Sequence, residues 1–143
     1  MDDCIFCNII KGEIDCATVF EDQDVLVFLD VKPATKGHCL VIPKQHFENI
    51  FDVPDSYLKN VVSAVKTISG RIKSKLGCND INIVQNNGRY AGQIVSHIHF
   101  HVIPRYPNDR VVITYQRVHL TDEEMADAQK KLSEEIKDAD LDF

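Results

Sequence analysis

The stretch Ser96-His97-Ile98-His99-Phe100-His101-Val102-Ile103-Pro104-Arg105 decides how this chain is read. Three of its six histidines alternate here with apolar residues. The two-residue period of a β-strand puts His97, His99 and His101 on one face and Ile98, Phe100 and Val102 on the other. The apolar set anchors the strand to a core, and the imidazoles form a row of about 13 Å between its outer Cα atoms. A strand over 95–103 is expected, stopping at Pro104, which cannot donate to a ladder. Two chemistries suit the row. Alternate histidines can bite one metal that keeps an open position for water. Alternatively, a neutral imidazole attacks a phosphate whose oxygens its neighbours hydrogen-bond. A catalytic zinc calls for a nearby carboxylate base, and 86–105 has no Asp or Glu. The same segment offers Asn86-Asn87-Gly88 and Gly92-Gln93, whose amides suit an anion, so phosphate chemistry is favoured.

Upstream, Ala17-Thr18-Val19-Phe20 and Val25-Leu26-Val27-Phe28-Leu29 are β-branched and aromatic runs around a polar turn of hairpin length, Glu21-Asp22-Gln23-Asp24. A third strand is expected over 39–42, ended by Pro43. Between 54 and 76, Leu58, Val61, Val65, Ile68, Ile72 and Leu76 recur at steps of three and four, the period of one helix face. Pro54 suits the first turn of that helix and Gly77 its end, while Gly70 inside it costs about 1 kcal/mol relative to Ala. Residues 80–85 alternate as a strand, and 86–93 form a loop by composition. Thr121-Asp122-Glu123-Glu124 is a capping box opening a C-terminal helix with Met125, Ala128, Leu132 and Ile136 on one face. Strands in a row around one major helix predict an α+β fold with an antiparallel sheet.

The chain has 143 residues, 44% of them hydrophobic and 27% charged, with no internal repeat or linker at which a boundary could fall, so a single domain over 1–143 is expected. Sixteen Lys and Arg stand against 22 Asp and Glu, a net charge of -6, which repels long nucleic acids but allows a local phosphate site. No apolar run reaches the roughly 18 residues of a membrane span, and the acidic start lacks a secretory signal's basic opening. Five cysteines, an odd number, argue for thiols or metal ligands over disulfides. These features predict a cytoplasmic protein without membrane or nucleic-acid partners.

His97-Ile98-His99-Phe100-His101-Val102-Ile103 resembles the signature of the histidine triad (HIT) superfamily of nucleotide hydrolases and transferases. The likeness runs nearly end to end. Cys4-Ile5-Phe6-Cys7-Asn8-Ile9-Ile10 looks like the opening of its microbial Hint-like branch. Phe28-Leu29-Asp30 and Gly37-His38-Cys39-Leu40-Val41-Ile42-Pro43-Lys44-Gln45-His46 resemble its central strands, and Gly92-Gln93 precedes the triad as in relatives. Only the part after Arg105 lacks specific matches. The resemblance implies a five-stranded antiparallel sheet with one major helix and a C-terminal helix, assembled as a two-fold homodimer through the 54–76 helix and an edge strand. The apolar Val61, Val62 and Val65 are broader than one core stripe needs.

By the same resemblance His99 is the nucleophile that forms a nucleotidyl-histidine at an α-phosphate, His101 contacts phosphate oxygens, and His97 supports its neighbours or binds metal. Asp30 holds the ribose hydroxyls, Asn86, Gly92 and Gln93 belong to the phosphate loop, and Phe6, Ile9, Phe28 and Val31 sandwich a purine base. Phe28 and Val31 could equally be plain core. Ile94 departs from the pattern: many relatives carry Ser or Thr there to pass a proton to the leaving group, which an amine needs more than a phosphate does.

The Cys4-x-x-Cys7 spacing supplies two zinc ligands where a closed structural site needs four, and buried small hydrophobes are the plain alternative. Among Cys16, His38, Cys39, His46, Cys78 and His97, similarity to zinc-bearing relatives singles out His46 and His97, hence a structural zinc on Cys4, Cys7, His46 and His97. The function implied is hydrolysis of a purine nucleoside monophosphate conjugate such as an AMP-amine. The alternatives are a dinucleoside polyphosphate hydrolase and a zinc-stabilised nucleotide-binding interaction protein.

Overall fold

In the computed structural model, which describes residues 3–134, the chain divides into two compact units, Met1–Val111 and Val112–Phe143. The first holds a single antiparallel sheet of β1 (Thr18–Glu21), β2 (Val25–Leu29), β3 (Cys39–Pro43), β4 (Asp80–Gln85) and β5 (Phe100–Arg105), in the order β1-β2-β3-β5-β4. The β1–β2 turn closes as its acids allow: Asp22 Oδ1 accepts from the amides of Asp24 and Val25, both at 2.8 Å.

The strands' period of two divides the sheet into two faces. On one, Val25, Val27, Cys39, Val41 and Val102 pack under Val61, Ala64, Val65, Ile68 and Ile72 of the long helix Asp55–Leu76. Pro54 is the residue that caps this helix, one position before its first turn, and Gly77 ends it in the left-handed region at φ 64°. On the other face Leu26, Phe28, Leu40 and Ile42 pack with Phe6 from a short first helix, α1 (Ile5–Ile10). The long helix is therefore α2. Burying an apolar set on each side makes the central strands β2 and β3 almost continuously hydrophobic.

The strand expected over 95–103 is shorter and shifted. Residues 95–97 bend, and the ladder begins at Phe100, because β3 offers partners only from Val41 to Cys39, opposite Phe100 to Val102. Before that point the Ile98 amide donates to the Phe47 carbonyl at 2.7 Å. Nor does Pro104 end the strand, since Arg105 still pairs with Asp80. In an antiparallel ladder a residue's N and O point the same way, and the Pro104 carbonyl accepts from Thr35 Oγ1 at 2.6 Å. The missing N–H thus faces the side where β3 has already ended and leaves no β4 bond unmade.

Gly37 enters β3 at φ +91°, and a Cβ there would stand 2.6 Å from Leu76 Cδ1 and 3.3 Å from Pro104 Cγ. Gly37→Ala combines a strained backbone with a clash at the end of α2, so it should cost about 2–4 kcal/mol. Urea unfolding should show the midpoint fall with an unchanged slope; an unshifted midpoint would contradict this packing.

The second unit contains α3 (Asp122–Ser133), opened by the expected capping box: Thr121 Oγ1 accepts from the Glu124 amide and the Glu124 carboxylate from the Thr121 amide. Met125 and Leu132 are exposed, and Ile136 lies outside the described residues. No helix among those residues is long and apolar enough to cross a membrane.

Candidate active site

A cavity of about 550 Å³ opens on the α1 side of the sheet. It brings together Phe6, Ile9, Phe28, Asp30, Val31, Gly92, His99 and His101 of the residues singled out in the sequence. Ile5, Ile14, Cys16, Leu40, Ile94 and Val95 complete its apolar wall, and Asp15 and Lys32 line it as well. Phe28 is buried and still lines the cavity, whereas Val31 is exposed, so it is not core. Asn86 and Gln93 are not among the lining residues. Gln93 instead braces the loop: its Oε1 accepts from the Gly88 amide at 2.8 Å and its Nε2 donates to the carbonyls of Glu48 and Val95.

Backbone groups fix the tautomers of the histidines. His99 Nδ1 lies 2.7 Å from the His97 carbonyl, which can only accept, so Nδ1 carries the proton and the Nε2 lone pair is left free. At His38 the sense is reversed. The Ala34 amide donates to His38 Nδ1 at 2.9 Å, so the His38 proton sits on Nε2 and is donated to His101 Nδ1, also at 2.9 Å. His101 in turn carries its own proton on Nε2. The adjacent imidazoles, with ring centroids 5.1 Å apart, are therefore of opposite character: His99 has a nucleophilic nitrogen and His101 a donor.

Sequence reasoning noted His38 only as one of several possible zinc ligands. Its role emerges from register, because β3 pairs Leu40 with His101 across the sheet and brings the preceding loop over that ring. Asp30, His38 and His101 also cluster closely enough to suggest a cation site. With its Nδ1 engaged by a backbone N–H, however, His38 Nε2 bears a hydrogen and offers no lone pair, so this cluster is a hydrogen-bond relay. Asp30 Oδ2 lies 3.6 Å from His38 Nε2 and its Oδ1 accepts from the Lys32 amide at 2.9 Å.

Burial keeps these rings neutral. It pushes His101 down to about 4, with repulsion from His99 and His38 adding to it and Asp30 opposing, and it lowers His38 against the same carboxylate. Because both values fall below the unfolded 6.5, the unfolded state binds more protons between the two. The stability these neutral rings contribute is whole above pH 6.5 and is lost as pH falls toward 4, by about 1.4 kcal/mol per unit of depression. Thermal unfolding should show Tm dropping through that window. The variant His38→Gln should flatten part of the drop, and an identical profile in the variant would exclude His38.

His97 turns from the cavity into a second cluster. Its Nε2 lies 2.9 Å from the Pro43 carbonyl, so Nδ1 is unprotonated, and that nitrogen lies 3.5 Å from Cys4 Sγ and 3.6 Å from Cys7 Sγ. Cys7 Sγ also stands 3.3 Å from His46 Nδ1. All four ligand atoms fall within 4.8 Å of one another. One thiol hydrogen cannot serve two imidazoles, and one imidazole lone pair cannot accept from two thiols. A tetrahedral zinc with arms of about 2.3 Å to sulfur and 2.05 Å to nitrogen would space S and N by about 3.6 Å, so the donor set fits that ion. α1 makes the cage possible: Cys4 caps it, its Sγ accepting from the Cys7 amide. Phe6, between the cysteines, packs edge-on against both His97 and His99.

Comparison with known proteins agrees with this geometry. A family model described as "HIT domain" matches residues 11–108. An uncharacterized HIT-like protein of Methanocaldococcus jannaschii is 50% identical over 119 residues, covering 83% of this chain and 92% of its own. An adenosine 5′-monophosphoramidase of Schizosaccharomyces pombe is 37% identical over 136 residues, 94% of this chain and 98% of its own. Among solved structures, a HIT family protein from Bacillus anthracis superposes with TM-score 0.87 at 39% identity, covering 95% of this chain and 99% of that one. A zinc-bound histidine triad family protein from Mycobacterium smegmatis gives TM-score 0.73 at 32% identity, over 93% and 99%. With the family model spanning most of the chain and the fold matching that of a solved member, this chain belongs to the HIT family.

Proposed function

We propose that this chain hydrolyses purine nucleoside 5′-monophosphate conjugates, such as AMP-amines, through a nucleotidyl-histidine on His99. One observation carries the reading: the free Nε2 of His99 and the Nε2–H of His101 line one cavity, with a carboxylate and an apolar slot beside them. Phe6, Ile9, Phe28 and Val31 hold the base, and Asp30 accepts from the ribose hydroxyls. Gly92 stands at the phosphate with the Asn86 amide next to it, and Gln93 sets their loop. His99 Nε2 bonds to phosphorus as the bond to the leaving group breaks, with the electron pair departing on that group. The His97 carbonyl stabilises the cationic ring, and His101 donates to a phosphate oxygen. Water then attacks phosphorus, the P–N bond breaks, and the proton goes to solvent.

We assign the Cys4, Cys7, His46 and His97 cage to a zinc ion, as supported by its donor geometry and by the zinc-bound relative. Four protein ligands leave no open position, so the ion's contribution is structural. The residues tie α1 to the triad and orient His97, whose carbonyl in turn fixes His99.

Ile94 favours a second reading, cleavage of a dinucleoside polyphosphate, because a phosphate leaving group needs no proton. Measuring AMP-amine and diadenosine polyphosphate turnover under one set of conditions separates the two. Less than about 0.01 per second on both, against an enzyme median of about 10 per second, would support nucleotide binding in an interaction protein.

For the assembly we propose a homodimer. The strand β4 is a sheet edge, α2 packs on β2, β3 and β5, and Val62 and Ile83 are left exposed, an apolar surface suited to a second copy. Sedimentation should give a dimer at micromolar concentration, and a monomer there would contradict it. Five free thiols suit a reducing compartment, the cytoplasm.

A further inference from the structure

A cavity of about 340 Å³ lies on the face of the sheet opposite the one that holds His99, where the C-terminal half of α2 passes Val19 of β1, Leu29 of β2 and Cys39 of β3. The placement follows from the strand period. The paired Phe28 and Leu40 face the first cavity, and the adjacent pair Leu29 and Cys39 faces this one. The sheet itself thus stands between this space and the reacting histidines. β1 and β2 also lie at the end of the sheet remote from the β4 edge. We propose that this cavity is a binding site for a free carboxylic acid with an unbranched apolar chain, taken up as the carboxylate.

The walls choose the body of that ligand. Ile68, Ile72 and Cys39 form a buried floor, and Val19, Leu29 and Leu76 are exposed around it, so an alkyl chain laid between them takes apolar surface out of water. The Cys39 thiol adds no charge, because burial pushes it up to about 11. From Ile68 to Leu76 the helix advances roughly 12 Å at about 1.5 Å per residue, the length of an extended eight-carbon acid. The volume falls within the range of roughly 300–1,000 Å³ of small-molecule sites.

The charges choose the head. Arg71 and Lys75 stand one helical turn apart on this cavity. Among the described residues no Asp or Glu lines it, and neither cation forms an ion pair. Like charges at that spacing weaken a helix, and this chain carries 22 acids against 16 bases, so the absence of a counter-charge is specific to the place. The carbonyl end of α2 accounts for Lys75, which sits in the last turn. Arg71 precedes that turn and is left uncompensated. One carboxylate between the two heads compensates both, whereas an amine in the same position meets repulsion.

The test titrates the full-length protein, its Leu and Val methyls labelled with ¹³C, with n-octanoate, 1-octanol and n-octylamine. Octanoate should shift the methyls of Val19, Leu29 and Leu76 and leave in place those of Val31 and Leu40, which line the first cavity. Its affinity should exceed that of 1-octanol about tenfold, with octylamine weakest. Arg71→Gln combined with Lys75→Gln should lower octanoate affinity about tenfold and leave that of 1-octanol within about twofold. Both residues are exposed, so the core is untouched. No saturable shift by about 5 mM octanoate, shifts confined to Val31 and Leu40, equal affinities for acid and amine, or an unmoved double variant would each overturn the proposal. So would co-sedimentation with phosphatidylglycerol vesicles that octanoate does not prevent, which would assign the two cations to a membrane surface.

Discussion

Replacing His99 with alanine should lower kcat on an AMP-amine by about 10⁴- to 10⁶-fold, the loss that follows removal of an essential nucleophile. The geometry makes the expectation specific to this ring. Its Nδ1 is committed to the His97 carbonyl, so the attacking lone pair is preset on Nε2 and no proton transfer must precede attack. His101, 5.1 Å away between centroids, cannot substitute, because its Nδ1 already accepts from His38 and its remaining nitrogen bears a hydrogen. AMP affinity, measured by calorimetry, should stay within a few-fold, since Phe6, Phe28 and Asp30 are untouched. Retention of more than about a hundredth of wild-type activity would remove His99 as nucleophile.

Removing the metal should act on stability and spare chemistry. The purified chain should contain about one zinc, and a free concentration a thousandfold above its dissociation constant contributes about 4.1 kcal/mol to folding. For a chain of this length, losing that contribution lowers Tm on the order of 10 °C. Chelation, or Cys7→Ser, should produce that shift in a thermal scan. Turnover of an AMP-amine at low temperature should survive brief chelation, because no cage atom belongs to the reacting pair. A metal-free preparation with unchanged Tm would refute the cage, as would zinc located between His97 and His99.

The hairpin, α2, β4 and the capping box of α3 were legible because each is local: a turn acid, a period of 3.6, an alternation and a cap. In the triad segment the grouping of the imidazoles was legible but the backbone was not. Alternation predicts a strand from 95, yet a ladder requires a partner, and β3 supplies one only opposite Phe100 to Val102. Phe6 still touches His97 and His99, so those two rings lie on one side without the ladder. α1 was missed because six residues are too few for a periodicity to show. His38 was underestimated for a different reason. Its function depends on Ala34 and His101, one four residues away and the other across a strand pairing, and only coordinates reveal which nitrogen faces which partner. Gln93 shows the converse: the motif drew attention to it, yet its amide turns to Gly88, Glu48 and Val95 in place of the cavity.

The covalent route makes a stereochemical demand that a direct attack by water does not. Two in-line displacements at phosphorus, first by His99 Nε2 and then by water, restore the original configuration, whereas a single displacement inverts it. Hydrolysis of an adenosine 5′-phosphorothioamidate of known configuration in ¹⁸O-labelled water, with the configuration of the product's phosphorus assigned by NMR after stereospecific phosphorylation, reads this outcome directly. Retention is predicted; inversion would contradict a nucleotidyl-histidine and return the row of imidazoles to activating water.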